Sequence, residues 1–511
     1  MLRKMMKQAV LLSVMLISAL SLSAQKIEWG TRNEACSKWY NPTVLMEDGE
    51  SVYTAHLDDD NLVIERHNAK GAVVYSNPIE LDRINDDKAY VEYVAYLKDR
   101  FVLFASAFDN STDKIGLFAF SYDGKTGKKI GKEKKLFEFP VEKMKRKGSF
   151  YFYISKDRSK VLINHYAYYK KEDKLKDRYK LFDSEMTELL EKTEVINKKE
   201  IDYSTYNYVI DNDGSVYFMR KMKTGESFIV SYDATKDYEK WEEQVDISKL
   251  DKTHSVGFVK FAFDNKNDLV IAGICNEKEK DGKGRFWDVP GKVKPAGMFF
   301  MKVDRKSKEI ITMKVHKFSV KTALKTDDYT FENQTMHFTA NNDLVFINQI
   351  NSVQYGRNIA IFYDGEMIIA KFDQNGELKW NTFITKMQIS AISGSILSTA
   401  PSFVNTLYFT YISGINSDKL FLIYNDDPKN LNVTDPKKIK SVQRFSNTVP
   451  FLCTIDLATG KPTTTQMFDP EVANNYIKTK VSFQKDYKSD IISIAQYKGD
   501  YQIVRIKLDS K

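Results

Sequence analysis

Short apolar segments separated by tight polar turns follow one another along the whole chain. Between residues 206 and 245, apolar segments cover 206–210, 215–219 and 227–232, and a more polar segment that carries Trp241 comes last. The first turn in this stretch reads Asp-Asn-Asp-Gly, and these residues tolerate the positive φ that a hairpin turn needs. The pattern predicts a unit of four antiparallel strands, termed a, b, c and d in chain order.

Two kinds of turn alternate along the sequence, and each kind occurs eight times. One kind joins strand a to strand b, and the other follows strand c with an Asp or Asn near its start. Eight interleaved copies of both signals predict eight copies of one structural unit. The a–b turns carry Asp48, Asp99, Asp157, Asp213, Asp268, Asp343, Asp418 and Asp490, and the c–d turns carry Asn68, Asp123, Asp183, Asp233, Asp304, Asp373, Asp456 and Asp509.

The four strands of a unit differ in polarity. Strands b and c are nearly continuous runs of Val, Ile, Leu, Phe and Tyr, which is typical of strands covered on both faces. Strand d is more polar, as expected at an outer edge where charges oppose pairing with another chain. We therefore predict an all-β fold, a single β-propeller of eight four-stranded blades. Seven blades is the first alternative, and a tandem of two smaller propellers is the second.

The last unit is short of one strand. Its apolar segments cover 479–483, 491–495 and 502–508, after which the chain ends. Residues 26–29 precede the first complete unit and could supply the missing outer strand. We predict that this N-terminal segment closes the ring by pairing with the last strand.

The first 24 residues have the features of a secretory signal peptide. Arg3, Lys4 and Lys7 precede an apolar run over 9–22, and small residues lie before Gln25. The apolar run is shorter than the roughly 20 residues that a membrane-spanning helix needs. We expect residues 1–24 to be a signal peptide and 25–511 the propeller. The protein would then be exported to the periplasm, the cell surface or the medium, with no transmembrane segment.

Charge and cysteine content limit the classes of partner and bond. The full chain has a net charge of +8 from 77 basic and 69 acidic residues, and both signs are interspersed. Such a surface is typical of a soluble protein and does not favour a nucleic-acid partner. Cys36, Cys275 and Cys453 could form one disulfide. Because Cys275 and Cys453 lie in apolar runs, we expect them to be buried thiols.

Three c–d corners resemble the repeats of quinoprotein-like (PQQ-like or WD40-like) propellers. They lie at 122–128, 455–461 and 372–380, and the last one ends in Trp380 at the outer-strand position that Trp241 also occupies. The resemblance implies an eight-bladed fold. The adjacent cysteine pair of the cofactor-dependent members is missing from this sequence, which opposes quinone chemistry.

Recognisable catalytic and metal-binding motifs are absent from the sequence. It contains no HExxH, no GxSxG and no phosphate-binding Gly-rich loop before a helix. The acidic turns at 58–61 and 211–214 are similar to the start of a calcium loop. Position 12 of that loop, which needs a Glu, is Ala69 or Met222. We predict no cofactor and keep calcium at 58–61 as an alternative.

Long insertions gather on one side of the predicted ring. The b–c connections at 276–296, 351–365 and 425–450 and the d–a link at 386–402 all emerge on the same rim of consecutive blades 5 to 7. Long loops on a rigid scaffold are where binding residues collect. Aromatic and charged side chains in these loops are the predicted ligand or partner contacts: Arg285, Phe286, Trp287, Asp288, Tyr355, Arg357, Tyr363 and Asp364.

These observations lead to one functional hypothesis and two alternatives. The hypothesis is an exported, non-catalytic propeller that binds a protein or a glycan through the long loops of blades 5 to 7. The first alternative is a propeller hydrolase or lyase of polysaccharide, with paired carboxylates near the ring axis. The second alternative is a structural component of a cell-envelope assembly.

Overall fold

The computed structural model describes most of the chain from residue 27 to residue 508. The described residues are 27–35, 42–58, 61–81, 83–84, 87–141, 147–197, 201–202, 208–222, 226–245, 254–277, 295–318, 331, 333–355, 359–393, 408–485 and 490–508. They form eight antiparallel sheets. Among them, no helix has the length and apolar character that crossing a membrane requires.

The first half of the ring consists of blades 1 to 4, preceded by strand β1 (Ile27–Glu34). Blade 1 contains β2 (Thr43–Glu47), β3 (Ser51–Asp58), β4 (Asn61–Asn68) and β5 (Val73–Ile79). Blade 2 contains β6 (Arg83–Ile84), β7 (Asp87–Leu97), β8 (Arg100–Asp109), β9 (Lys114–Asp123) and β10 (Lys129–Pro140). Blade 3 contains β11 (Ser149–Ile154), β12 (Lys160–Tyr169), β13 (Lys174–Asp183) and β14 (Glu188–Asn197). Blade 4 contains β15 (Ile201–Asp202), β16 (Tyr208–Ile210), β17 (Val216–Met222), β18 (Ser227–Asp233) and β19 (Glu239–Gln244).

Blades 5 to 8 complete the ring. Blade 5 contains β20 (His254–Phe263), β21 (Leu269–Glu277), β22 (Pro295–Val303) and β23 (Ile310–Lys317). Blade 6 contains β24 (Gln334–Phe338), β25 (Leu344–Tyr355), β26 (Ile359–Phe372), β27 (Leu378–Ile384) and β28 (Gln388–Ser393). Blade 7 contains β29 (Ile412–Ile415), β30 (Lys419–Asp426), β31 (Val449–Asp456) and β32 (Pro462–Gln466). Blade 8 contains β33 (Tyr476–Phe483), β34 (Ile491–Tyr497) and β35 (Asp500–Ile506), and a short helix, α1 (Pro470–Ala473), precedes it.

The N-terminal strand closes the ring. β1 pairs antiparallel with β35, so that Ile27 faces Ile506 and Trp29 faces Val504. The amide of Gln502 also donates a hydrogen bond of 2.6 Å to the carbonyl of Gly30. Blade 8 therefore takes its outer strand from the opposite end of the chain. The predictions of eight blades and of terminal closure are confirmed, and the seven-bladed and tandem alternatives are wrong.

The apolar core lies between the blades rather than inside any one of them. One cluster joins Val102 and Phe104 of blade 2 to Val161 and Ile163 of blade 3, and each neighbouring pair of blades repeats this arrangement. Middle strands such as β22 are buried throughout, whereas the outer strand β19 is almost entirely exposed. The gradient of polarity from strands b and c to strand d follows from this packing, because only the middle strands have a neighbouring blade on both faces.

The acidic residues of the c–d turns have a local role. The Asp123 side chain accepts hydrogen bonds from the backbone N–H groups of Lys125 and Thr126, at 3.1 and 2.7 Å. Asp456 accepts the same pair of bonds from Ala458 and Thr459. Such turns need an acceptor at their first position, which explains the spacing of the signal. The same bonds occur at Asn68, Asp183, Asp233, Asp304 and Asp373, and Asp509 lies outside the described residues.

The a–b turns of neighbouring blades are tied together by hydrogen bonds. The backbone N–H of Asp157 in blade 3 donates to the Asn212 side chain of blade 4, at 3.1 Å. The Asn267 amide of blade 5 donates to the Asp211 carboxylate of blade 4, at 3.0 Å. Blades 5 and 6 are joined in the same way through Asn342. The a–b turns are thus short and bonded to one another. The b–c connections on the opposite face differ in length from blade to blade.

One detail of the sequence-based prediction changes. The b–c connection at 351–365 is not a loop, because β25 and β26 extend beyond the blade and pair from Asn351 with Asp364 to Tyr355 with Ala360. β28 adds a third strand to this extension. Cys275 and Cys453 are buried, as expected, and burial raises the pKa of the Cys453 thiol to about 11. Cys36 lies outside the described residues.

Candidate functional site

The central channel of the ring is obstructed at its a–b end. Arg158 lies in the a–b turn of blade 3, and its guanidinium lies 5.2 Å from the ring centre of Phe483 in blade 8. Arg158 also donates a hydrogen bond of 3.2 Å to the carbonyl of Tyr96 in blade 2. Because blades 1 and 2 stand between blades 8 and 3 around the ring, this contact must reach across the channel. We call this channel the funnel, because the contact narrows it at its a–b end.

Tyrosines cover the funnel wall on blades 2 and 3. Tyr93 on the inner strand β7 and Tyr151 on the inner strand β11 are 37% and 41% exposed. Tyr93 stacks on Phe152, with ring centres 4.9 Å apart. Tyr151 stacks on Tyr166 with an interplanar angle of 8°. Both exposed rings are thus held in fixed orientations by a second ring behind them.

The opposite side of the funnel carries basic and polar side chains. Lys260 on β20 has an exposed side chain. The protein around its ammonium group still reduces the solvation of the charge, and this lowers the pKa of Lys260. His337 on β24 is half-buried, and burial lowers the pKa of its imidazole to about 4. Burial also raises the pKa of the exposed Tyr93, while Arg158 opposes this shift. A side chain that points into a narrow channel contacts water but is also surrounded by protein. Such partial desolvation accounts for these pKa shifts.

The three-stranded extension of blade 6 places Asp364 at the funnel rim. Its carboxylate accepts hydrogen bonds from the side-chain amides of Gln349 and Asn351, at 3.0 and 2.5 Å. Burial raises the pKa of Asp364, and the positive charges of Lys386 and Lys480 oppose that rise. Asp364 is nevertheless half-buried rather than enclosed. A half-buried carboxylate that two amides hold in place is suited to accept hydrogen bonds from a ligand.

A buried polar network supports this carboxylate from below. The Lys386 ammonium donates to Gln388, at 2.5 Å, and to the carbonyl of Thr410, at 3.4 Å. Thr410 in turn donates to Gln349, at 3.1 Å. Burial lowers the pKa of Lys386 to about 8, against the opposing influence of nearby carboxylates. Thr410 has a φ of 140°, which a β-branched residue adopts only when its surroundings impose it, and such strain is typical of functional sites.

Blades 7 and 8 extend the network. Asp426 accepts hydrogen bonds from the Asn430 amide and the Asp427 N–H, both at 2.8 Å, while burial raises the pKa of its carboxyl to about 7. Nearly all buried polar atoms in proteins have hydrogen-bond partners. Buried polar atoms without a partner can therefore bond to a further polar group, such as one of a ligand. Within the described parts of blades 6 to 8, six buried side-chain atoms lack a hydrogen bond: Asn348 Nδ2, Asn351 Oδ1, Ser352 Oγ, Ser390 Oγ, Asp426 Oδ2 and Thr479 Oγ1.

The predicted site residues fall into two groups. Tyr363 and Asp364 are neighbours on β26, and the Tyr363 hydroxyl donates to Gln354, at 3.0 Å. Tyr355 is the last residue of β25, but its side chain lies outside what the structure describes. The remaining predicted contacts lie outside the described residues and stay predictions: Arg285, Phe286, Trp287, Asp288 and Arg357.

Sequence reasoning missed the inner-strand residues of the funnel. Tyr93, Tyr151 and Lys260 lie in segments that the sequence predicts only as scaffold. The one local signal was a lysine inside the apolar stretch Val259-Lys260-Phe261. A charge in a strand with no buried counter-charge must reach water, and on an inner strand the only water is in the channel.

Metal binding finds no support in the described part of the chain. Among those residues, no group of three or more His, Cys, Asp or Glu side chains could hold an ion. Residues 59 and 60 lie outside the described residues. The alternative of calcium at 58–61 therefore stays a prediction.

Comparison with known proteins gives distant structural likenesses. No protein-family model and no curated protein matches the sequence. The polysaccharide lyase Uly1 is similar over 84% of this chain and 94% of its own, with 11% identity and a TM-score of 0.37. The β-propeller domain of the Trilobed protease from Pyrococcus furiosus is similar over 84% and 96%, with 9% identity and a TM-score of 0.33.

Prolyl oligopeptidase B from Galerina marginata is similar over 93% of this chain, with 12% identity and a TM-score of 0.38. This chain spans about half the length of that enzyme, with a coverage of 56%. The assignment of the present fold as a propeller is based on its own strand pairing.

Proposed function

We propose that this protein is an exported, non-catalytic β-propeller that binds a glycan at the mouth of its funnel. The ligand would lie on the b–c face, between the tyrosines of blades 2 and 3 and the polar rim of blades 6 to 8. Export follows from the predicted signal peptide. The single observation that carries the proposal is the half-buried Asp364, which Gln349 and Asn351 hold above a strained polar network.

Glycans suit this arrangement because of their own chemistry. A sugar ring offers hydroxyl groups around its edge and an apolar patch on its face. Carboxylates and amides form fixed hydrogen bonds with the hydroxyl groups, and bonds to a charged group contribute about 1.5–3 kcal/mol each. Exposed aromatic rings such as Tyr151 and Tyr93 present flat surfaces on which the sugar face can stack.

A direct test compares Asp364→Ala with the wild-type protein. Glycan-array screening identifies a bound glycan, and isothermal titration calorimetry then measures its Kd. We expect Asp364→Ala to weaken binding at least tenfold, because the ligand loses a charged hydrogen-bond acceptor. Asp418→Ala is the matched control, since Asp418 is exposed in the a–b turn of blade 7 and should bind as the wild type does. Wild-type protein that binds no glycan, or an Asp364→Ala variant with unchanged affinity, would contradict the proposal.

One contact favours a second candidate function, a serine hydrolase, which is a different enzyme class from the carboxylate-dependent polysaccharide hydrolase or lyase. The Ser413 hydroxyl lies 2.9 Å from Nε2 of His337, which is the distance expected of a nucleophile and its general base. The pKa of His337 responds to burial alone, so no described carboxylate orients the imidazole as a triad requires. Labelling with a fluorophosphonate distinguishes the two functions. We expect no labelling, and stoichiometric labelling that Ser413→Ala abolishes would establish a serine hydrolase instead.

A further inference from the structure

The inner strands of five blades carry lysines and no acidic residue. In blades 3 and 5 to 8, these strands are β11, β20, β24, β29 and β33. Together they contain three lysines, Lys260, Lys478 and Lys480, and no Asp or Glu. The inner strands of the other blades do carry acidic residues, Glu47 on β2, Asp87 and Glu92 on β7 and Asp202 on β15. Because Lys478 is buried, the exposed positive charge of these inner strands is that of Lys260 on blade 5 and Lys480 on blade 8.

Two positive groups in the funnel lack a described counter-charge. Burial lowers the pKa of Lys260, and no described carboxylate offsets that effect. Burial likewise lowers the pKa of Arg158 at the base of the funnel, where the Tyr93 hydroxyl opposes this shift and no described carboxylate does. Lys480 is exposed on β33 and acts electrostatically on Asp364. Confined positive charges with low-dielectric walls attract anions and raise their local concentration.

The tyrosine side of the funnel indicates the remaining chemistry of the ligand. Tyr93 and Tyr151 present rigid, exposed rings on blades 2 and 3, whereas Lys260 and Lys480 lie on the inner strands of blades 5 and 8. A ligand that fits both sides must combine flat ring faces with negative groups along its edge. Inorganic anions lack the rings, and neutral sugars leave the lysines without partners.

We infer that the funnel binds an acidic polysaccharide, with sugar rings stacked on Tyr93 and Tyr151 and acidic groups paired with Lys260 and Lys480. This inference rests on the proposed glycan-binding function and specifies its ligand class. The blade 6 rim, with Asp364, would then contact hydroxyl groups of sugars outside the funnel. The same wall would disfavour polycations.

The test uses polymer pairs that differ only in charge. Polygalacturonate is compared with its methyl ester, and dextran sulfate with dextran, by calorimetry at low and at physiological salt. We expect at least one acidic member to bind the wild-type protein at least tenfold more tightly than its neutral partner, with affinity falling as salt increases. If only dextran sulfate binds more tightly than its neutral partner, the result would support the charge assignment and identify the acidic group as a sulfate ester.

Variants locate the effect in the funnel. Lys260→Gln combined with Lys480→Gln should reduce the preference for the acidic polymer at least fivefold, and Tyr151→Ala should weaken binding of both members of a pair. Lys132→Gln, an exposed lysine on the outer strand β10, is the matched control and should leave the preference unchanged.

The outcomes separate this inference from the proposed function. Equal binding of acidic and neutral members, or a charge preference that survives the double lysine variant, would overturn the acidic-ligand inference while glycan binding stands. Absence of binding to every glycan would overturn both.

Discussion

Glu65 offers a stability prediction whose magnitude follows from the structure. Its carboxylate is buried in blade 1 and contacts His67 and His56, with N–O distances of 3.5 and 3.7 Å. Tyr501 of the closing blade donates a hydrogen bond of 3.2 Å to the same carboxylate. Burial opposes the charged form, but the hydrogen bond from His67 and the charge of both histidines lower the pKa of Glu65 to about 2, from an ordinary value of 4.5.

The sign of the pH dependence follows from this lowered pKa. The stabilisation is fully present above the unfolded pKa of 4.5 and is lost as pH falls towards about 2. A difference of about 2.5 pKa units corresponds to about 3 kcal/mol at neutral pH, of which about 1 kcal/mol remains at pH 3. Glu65→Gln removes the charge at every pH. We expect the variant to be less stable than wild type by about 3 kcal/mol at pH 7 and by about 1 kcal/mol at pH 3.

Urea unfolding followed by tryptophan fluorescence at pH 7, 5, 4 and 3 measures this difference. Glu50→Gln, in the exposed a–b turn of the same blade, is the matched control and should follow the wild-type curve. A stability difference between Glu65→Gln and wild type that stays constant from pH 7 to pH 3 would refute the reasoning.

Three further predictions concern closure, the funnel base and the thiols. Gly30→Ala should destabilise the protein by about 2 kcal/mol or more in urea unfolding, because the added Cβ would lie 2.7 Å from the Ile503 carbonyl. Gly499→Ala in the same blade meets nothing within 4 Å and should be nearly neutral, so equal losses would contradict the packing of β1. Arg158→Met should lower the free energy of unfolding by about 1–2 kcal/mol through loss of its contacts with Phe483 and Tyr96. Lys156→Met is the control, and no difference between these two variants would argue against a contact across the channel. Titration with a thiol reagent should label Cys275 and Cys453 only after denaturation, and rapid labelling of either in the native protein would show that these thiols are not buried as described.

The repeat could be predicted from the sequence because its signals are local. An Asp that begins a c–d turn bonds to backbone N–H groups two or three residues later, as Asp123 does, so turn chemistry alone fixes its place. The closure was predictable because the last unit lacks one strand and the residues before the first unit supply it. Both arguments need only short-range structure and a count of strands.

The site was less predictable because it depends on which distant residues meet. Asp364 was identified as a candidate from its position between predicted strands, but its partners Gln349 and Asn351 depend on the register of β25 against β26. The prediction of a loop at 351–365 was wrong, because this stretch extends β25 and β26 beyond the blade as a pair of strands. The approach of Arg158 to Phe483 joins residues of blades 3 and 8, and no local pattern encodes a contact across a ring.

The most direct test of the account is a hydrogen-exchange footprint of ligand binding. Mass spectrometry would compare the wild-type protein with and without the tightest-binding acidic polysaccharide. The account predicts slower exchange in peptides covering 87–93, 147–153 and 359–366, which border the funnel mouth, and unchanged exchange in the a–b turns at 155–159 and 211–214. Protection confined to the a–b turns or to outer strands such as β10 and β19 would contradict a binding site in the funnel.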